Sequence, residues 1–273
     1  MNSKDRVKHL FNSEEPDTIP IHDFLQDDNQ QLDLDIEMVS SGQILNRKDT
    51  LKASNDKFRM LELEDPFQDL SNCIGLENVL MKIKEDNDFI LQELLDRTMK
   101  MLAKAKVVIE SEKVDGIWLW GDIAYNGGTF FSDAFYLENL YPMHKKICSF
   151  FDAYNLPVVL HSDGNIKGIL PYLVDAGFNG IHPLESSAGM DLEELQEKYG
   201  RHLVFFGNLN VDLLRNKNTD DIIKIVKSKL DSLDANSRYV FGFDSPITND
   251  IDIDKYMDVL DFVRTYKNLE RLI

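Results

Sequence analysis

From Val114 onward the sequence repeats one unit: a short run that is apolar nearly throughout, followed by a stretch with helical spacing. The runs are VDGIWLW, LPVVLHSDG, NGIHPLE, HLVFFGNLN and RYVFGFD. Residues 135–154, 166–176, 191–199, 220–233 and 253–266 carry apolar residues at helical spacing. A strand covered on both faces loses the in-and-out alternation of an antiparallel sheet, and a helix after each strand is the mark of a parallel sheet. The pattern predicts an α/β chain with Trp118, Val159, Ile181, Phe205 and Phe241 inside strands.

The first half is less regular. Ser3 is placed to cap a short helix carrying Val7, Leu10 and Phe11, IPIHDF and KFRMLEL read as strands, and residues 88–110 read as a helix. In that helix Phe89, Leu94, Leu95, Met99 and Leu102 fall near helical spacing. The polar, acidic stretch 26–55 has no period and reads as irregular. This gives seven strands, one short of a standard eight-stranded barrel, and 273 residues is the span of one closed βα domain covering 1–273.

Charge excludes several partners. Thirty Lys plus Arg against 48 Asp plus Glu leave a net charge of −18, which repels phosphate backbones and anionic lipid surfaces. Nucleic acid and membranes are therefore not expected partners. The start MNSKDRVKHLFNSEEPD lacks the apolar core of a signal peptide, and Cys73 and Cys148 form no metal-type spacing, which together point to a reducing, cytoplasmic location.

In a parallel βα architecture, functional side chains gather where strands end. Those points carry Asp122 and Tyr125, His161 and Asp163, His182 and Glu185, Asn208 and Asn210, and Asp244. Each also has a structural reading. His161 can bond a neighbouring carbonyl, Asp163-Gly164-Asn165 can be a turn, His182 before Pro183 can be packing, Asp122 can cap the segment after it, and Asn208 and Asn210 can be loop amides. His161, Asp163 and Glu185 combine one imidazole with two carboxylates, a set suited to Zn²⁺ or a similar Lewis acid. Asp122, His161, Asn208 and Asp244 are the candidates for catalysis; Tyr125, His182 and Asn210 are those for substrate binding. His9, His22, His144 and His202 are left to structure or surface.

The segments RVKHLFNSEEPDTIPI, GLENVLMKIKED, VDGIWLWGDIAYNGGTFFS, LPVVLHSDGN, GIHPLESSAGMD and LVFFGNLNVDLL together resemble the uroporphyrinogen decarboxylase superfamily, closest to its corrinoid-linked methyltransferase branch. The resemblance is densest from Asp65 to Leu214. It implies a TIM (βα) barrel, shortened or irregular in its N-terminal part, with the site at the carboxyl ends of the strands.

The sequence departs from that pattern in three places. The stretch from Ile21 to Phe58 is short for the family. Thiol-activating branches resemble His-x-Cys with a distant Cys, whereas this chain has His161-Ser162-Asp163 and no later Cys. After the last strand, where relatives commonly carry a His, Asp244-Ser245-Pro246 stands. Decarboxylases of the family gather N-terminal arginines for a porphyrinogen with eight carboxylates, and here only Arg6, Arg47 and Arg59 stand in an acidic setting. The resemblance thus implies a metal-assisted methyltransferase working between a small methyl donor and a corrinoid carried on a partner protein. The alternatives are a decarboxylase and a non-catalytic barrel serving as a binding subunit.

Overall fold

A computed structural model describes residues 1–26, 32–40, 56–234 and 237–270. The strands are β1 (Ile36–Ser40), β2 (Phe58–Glu64), β3 (Gly116–Trp120), β4 (Ala124–Tyr125), β5 (Gly128–Thr129), β6 (Val158–His161), β7 (Gly180–His182), β8 (Val204–Phe206) and β9 (Tyr239–Val240). The longer helices are α1 (Ser3–Phe11), α2 (Pro66–Ile74), α3 (Leu76–Glu85), α4 (Asn87–Ser111), α5 (Tyr141–Asp152), α6 (Leu170–Ala176), α7 (Leu192–Tyr199), α8 (Thr219–Asp231) and α9 (Ile253–Glu270). None of the described helices is long and apolar enough to cross a membrane.

The packing divides the chain into two compact units, one of Met38–Ser54 with Arg59–Ile181, the other of Met1–Glu37, Asn55–Phe58 and His182–Ile273. In the first unit β2, β3 and β6 run parallel, with Glu64 opposite Trp120 and Trp120 opposite His161. Ile117, Trp118 and Leu119 are fully buried, as are Val159 and Leu160, which is why these runs lack alternation. Asp65 starts α2 by accepting a hydrogen bond from the Phe67 backbone N–H, and Pro66 at the first helical position loses no bond by lacking its own N–H.

α4 buries Ile90, Leu94, Thr98, Leu102, Ala105 and Val108. The sequence placed Phe89 and Met99 on that face, but they are 39% and 51% exposed. Leu94 and Leu102 are buried as expected, whereas Phe89 and Met99 flank a buried stripe that runs through Ile90 and Thr98, because the helix turns toward the elements it packs on and not toward its largest side chains. The helix expected over 135–154 is also divided. A π-helical turn, Tyr136–Leu140, precedes α5, and the Tyr141 N–H bonds to the carbonyl of Tyr136 five residues back. Pro142 follows at once, in the first turn of α5, where it has no N–H for the ladder.

In the second unit β8 and β9 pair in parallel, Phe205 opposite Tyr239. IPIHDF is not a regular strand. It makes one parallel bridge, Ile21 to Phe241, and Leu25 just after it makes another, to Ile247. Between them the Asp23 carboxylate accepts from the Phe243 N–H at 2.6 Å, so a side chain takes the place of the ladder. Phe241 accordingly sits in a bridge just past β9, not inside it. α1 is capped by Asn2, whose side chain accepts from the Asp5 N–H, one residue before the expected Ser3. Of the stretch expected to be irregular, 27–31 and 41–55 lie outside the described residues. Within it Ile36–Ser40 forms a strand, with Ile36 and Val39 buried.

A candidate metal centre at the ends of two strands

Because β3 and β6 are parallel and in register, the residues after Trp120 and His161 leave the sheet on the same edge. Gly121 N–H donates to the His161 carbonyl at 2.9 Å, which ties the two exits together. The Ser162 hydroxyl accepts from the Ile123 N–H, and the Asp122 carboxylate accepts from the Asp163 N–H at 3.1 Å. Each loop thus holds the other. Gly164 packs beneath the β4 hairpin, where a Cβ would lie 2.6 Å from the Tyr125 backbone at a φ of +81°, so only glycine is accommodated.

This bracing brings Asp122, His161 and Asp163 together, one ligand atom of each lying within 4.8 Å of the others. His161 Nε2 stands 3.6 Å from Asp122 Oδ1 and 3.9 Å from Asp163 Oδ1. Those separations are long for hydrogen bonds. They are close to the spacing of about 3.3–3.6 Å between ligand atoms that each sit about 2.0–2.2 Å from one tetrahedral zinc ion. The two carboxylates are 48% and 57% exposed, while His161 is 12% exposed. Its ring lies against Trp120, 4.4 Å between centroids, with Trp118 at 6.3 Å. Burial pushes the His161 imidazole down to about 4, against the Asp122 charge that favours its protonated form. At neutral pH the site therefore offers a neutral imidazole and two carboxylates, a donor set that fits a divalent cation.

The sequence grouped Glu185 with His161 and Asp163; within the first unit it is Asp122 whose carboxylate lies beside these two. Glu185 belongs to the second unit, where it accepts from the Ser187 hydroxyl at 2.5 Å. Asp244 is in the same unit. Burial raises its carboxyl, the Glu185 charge adds to the rise, and its oxygens accept from the Val211 N–H at 3.1 Å and the Ser186 hydroxyl at 3.5 Å. His182 is buried, with its ring edge-on to Phe24 at 5.5 Å. Asn208 is buried too, its amide donating to the Leu184 and Met190 carbonyls and its oxygen accepting from Lys229. Those bonds commit its side chain to holding the loop after β7. Asn210 accepts from the Asp212 N–H at 2.8 Å, a turn-capping contact. Tyr125 is 55% exposed and stacks on Phe130 in the first unit.

Sequence reasoning missed Asp65 and Trp120. Asp65 directly before Pro66 was a legible helix start, but its second partner, His144, lies 79 residues away. His144 is fully buried, in keeping with its assignment to structure.

The sequence profile of the uroporphyrinogen decarboxylase family matches residues 65–266. The chain belongs to the uroporphyrinogen decarboxylase family. It is similar in structure to a methyltransferase from Methanosarcina mazei, with a TM-score of 0.77 at 15% identity over 98% of this chain and 99% of that one. At that identity the likeness carries the fold: an α/β TIM (βα) barrel, irregular in its N-terminal part. No curated protein matches the chain. Within the uroporphyrinogen decarboxylase family, this member has two N-terminal arginines among the described residues, and both are committed. Arg6 pairs with Asp17 and Asp35, and Arg59 is buried against the Lys113 carbonyl and Glu112. Arg47 lies outside the described residues.

Proposed function

We propose that this member of the family is a metal-assisted methyltransferase that moves a methyl group between a small donor and a corrinoid protein. The observation that carries the reading is the convergence of Asp122, His161 and Asp163 around a space of ligand dimensions with the imidazole neutral. These three side chains would hold Zn²⁺ or a related divalent ion. Such an ion, when bound, supplies a Lewis acid for the heteroatom that gains or loses the methyl group. The chain's own residues do the rest. Trp120 and Trp118 keep one side of His161 dry, the Asp163 N–H fixes the Asp122 carboxylate, and Tyr125 offers an exposed aromatic face on the hairpin that follows Asp122.

The fold shared with the Methanosarcina mazei methyltransferase supports this reading, and the committed arginines speak against an octa-anionic porphyrinogen. The corrinoid arrives on a separate protein, and with a chain charge of −18 that partner presents Lys or Arg around its cofactor, so association weakens as salt rises.

Metal analysis and a transfer assay test the proposal together. Zinc bound near one equivalent, with methyl transfer to a cobalamin-loaded corrinoid protein at low salt, is the expected result. A protein with no affinity for added Zn²⁺ and no transfer is instead a barrel kept as a binding subunit.

A further inference from the structure

Behind the strand ends lies a fully buried chain of polar groups that the proposed chemistry does not use. Asp65 and His144 are both 0% exposed and meet at 2.8 Å, carboxylate oxygen to Nε2. The Tyr136 hydroxyl lies 3.1 Å from Nδ1 of the same ring. Complementarity assigns the protons: Tyr136 donates to Nδ1, and Nε2–H donates to Asp65, whose other oxygen accepts from the Phe67 N–H. Tyr136 begins the π-helical turn, and His144 follows one turn into α5.

Asp65 also touches the candidate centre's scaffold. Its N–H donates to the Trp120 carbonyl at 2.7 Å, and a Cβ on Gly121 would lie 2.7 Å from the Asp65 Cβ. Gly121 is followed directly by Asp122. A helix start needs only a side-chain oxygen, and a Ser or Asn would provide one without burying a carboxyl group. A buried carboxylate–imidazole pair contributes little net stability compared with apolar packing, and what it does supply is a fixed geometry.

We propose that Asp65, His144 and Tyr136 are positioning residues that set the path of Gly121 and hence the place of the Asp122 carboxylate. The consequence for cation binding rests on the metal-centre reading above. The effect on the Gly121 to Ile123 backbone does not.

The test compares wild type with His144→Leu, His144→Gln and Tyr136→Phe, using Zn²⁺ calorimetry and amide hydrogen exchange. His144→Leu should weaken Zn²⁺ binding by about tenfold or more. It should also speed exchange at Gly121 and Ile123 more than at Leu160 in β6. His144→Gln, which can still donate to Asp65, should recover most of both. If His144→Leu does not fold, Tyr136→Phe should show the same contrast in weaker form. Exchange at Gly121 and Ile123 that rises no more than at Leu160 in these variants overturns the positioning role. Wild type that binds no Zn²⁺ overturns the metal reading, and the exchange contrast still decides the inference.

Discussion

The indole of Trp120 lies 4.4 Å from the imidazole of His161, centroid to centroid, at an interplanar angle of 58°. Trp120 is in turn fixed by its Nε1–H, which donates to Glu62 at 3.1 Å. The contact removes water from one side of His161 while Asp122 and Asp163 leave the other side polar. A ring so placed stays neutral where an exposed histidine would be partly charged.

That neutrality has a signed consequence for the metal-free protein. The folded imidazole is held near 4, below its ordinary value near 6.5. Its contribution to stability is therefore complete above about pH 6.5 and is lost as the pH falls toward 4, by at most about 3 kcal/mol. The His161 ring resonances should not titrate above about pH 5, and His161→Phe should flatten the acid limb of a pH–stability profile. A midpoint near 6.5 would show that the ring is solvated.

Asp23 runs the opposite way. Burial pushes its carboxyl up to about 7, the Asp244 charge adds to this, and the Phe243 N–H and Tyr256 hydroxyl oppose it. A folded value above the unfolded one means that the contribution of this group to stability is fully present below about pH 4 and is lost as the pH rises through 7, about 4 kcal/mol in all. Asp23→Asn keeps an acceptor for Phe243 and should raise the melting temperature at pH 8 while barely changing it at pH 4. Equal shifts at both values would refute the assignment.

Asn208 adopts a φ of +71° and makes three side-chain hydrogen bonds from a buried position. Asn208→Gly tolerates the backbone but leaves the two carbonyls and the half-buried Lys229 without that amide. Denaturant unfolding should show a loss of about 2–4 kcal/mol. A loss below about 0.5 kcal/mol would mean that water replaces the amide easily.

Gly121→Ala places a methyl group against Asp65, where 2.7 Å is too close for carbon atoms. The strand exit must shift, and overpacking of this kind costs about 1–3 kcal/mol. Zn²⁺ affinity should fall with stability, because Asp122 is the next residue. Unchanged affinity and melting temperature would indicate slack in the loop.

The α/β class and the sites of chemistry were legible because burial on both faces of a parallel strand leaves a continuous apolar run, and the polar residue that ends it is local in sequence. Asp122, His161 and Asp163 could each be named that way. Their grouping could not. That Asp122 stands beside His161 depends on β3 pairing with β6 and on the register of that pairing, and apolar runs without alternation carry no register signal. The same limit hid the bond from Asp65 to His144, 79 residues apart, and placed Phe89 and Met99 on the buried face of α4 in place of Ile90 and Thr98. Periodicity gives the width of an apolar stripe, but the neighbours that cover it decide which residues are sealed. The single bridge made by IPIHDF follows from the same cause: the Asp23 carboxylate finds the Phe243 N–H only once the chain's two ends are brought together. Local spacing determined the elements, and contacts between distant segments determined which side chains meet.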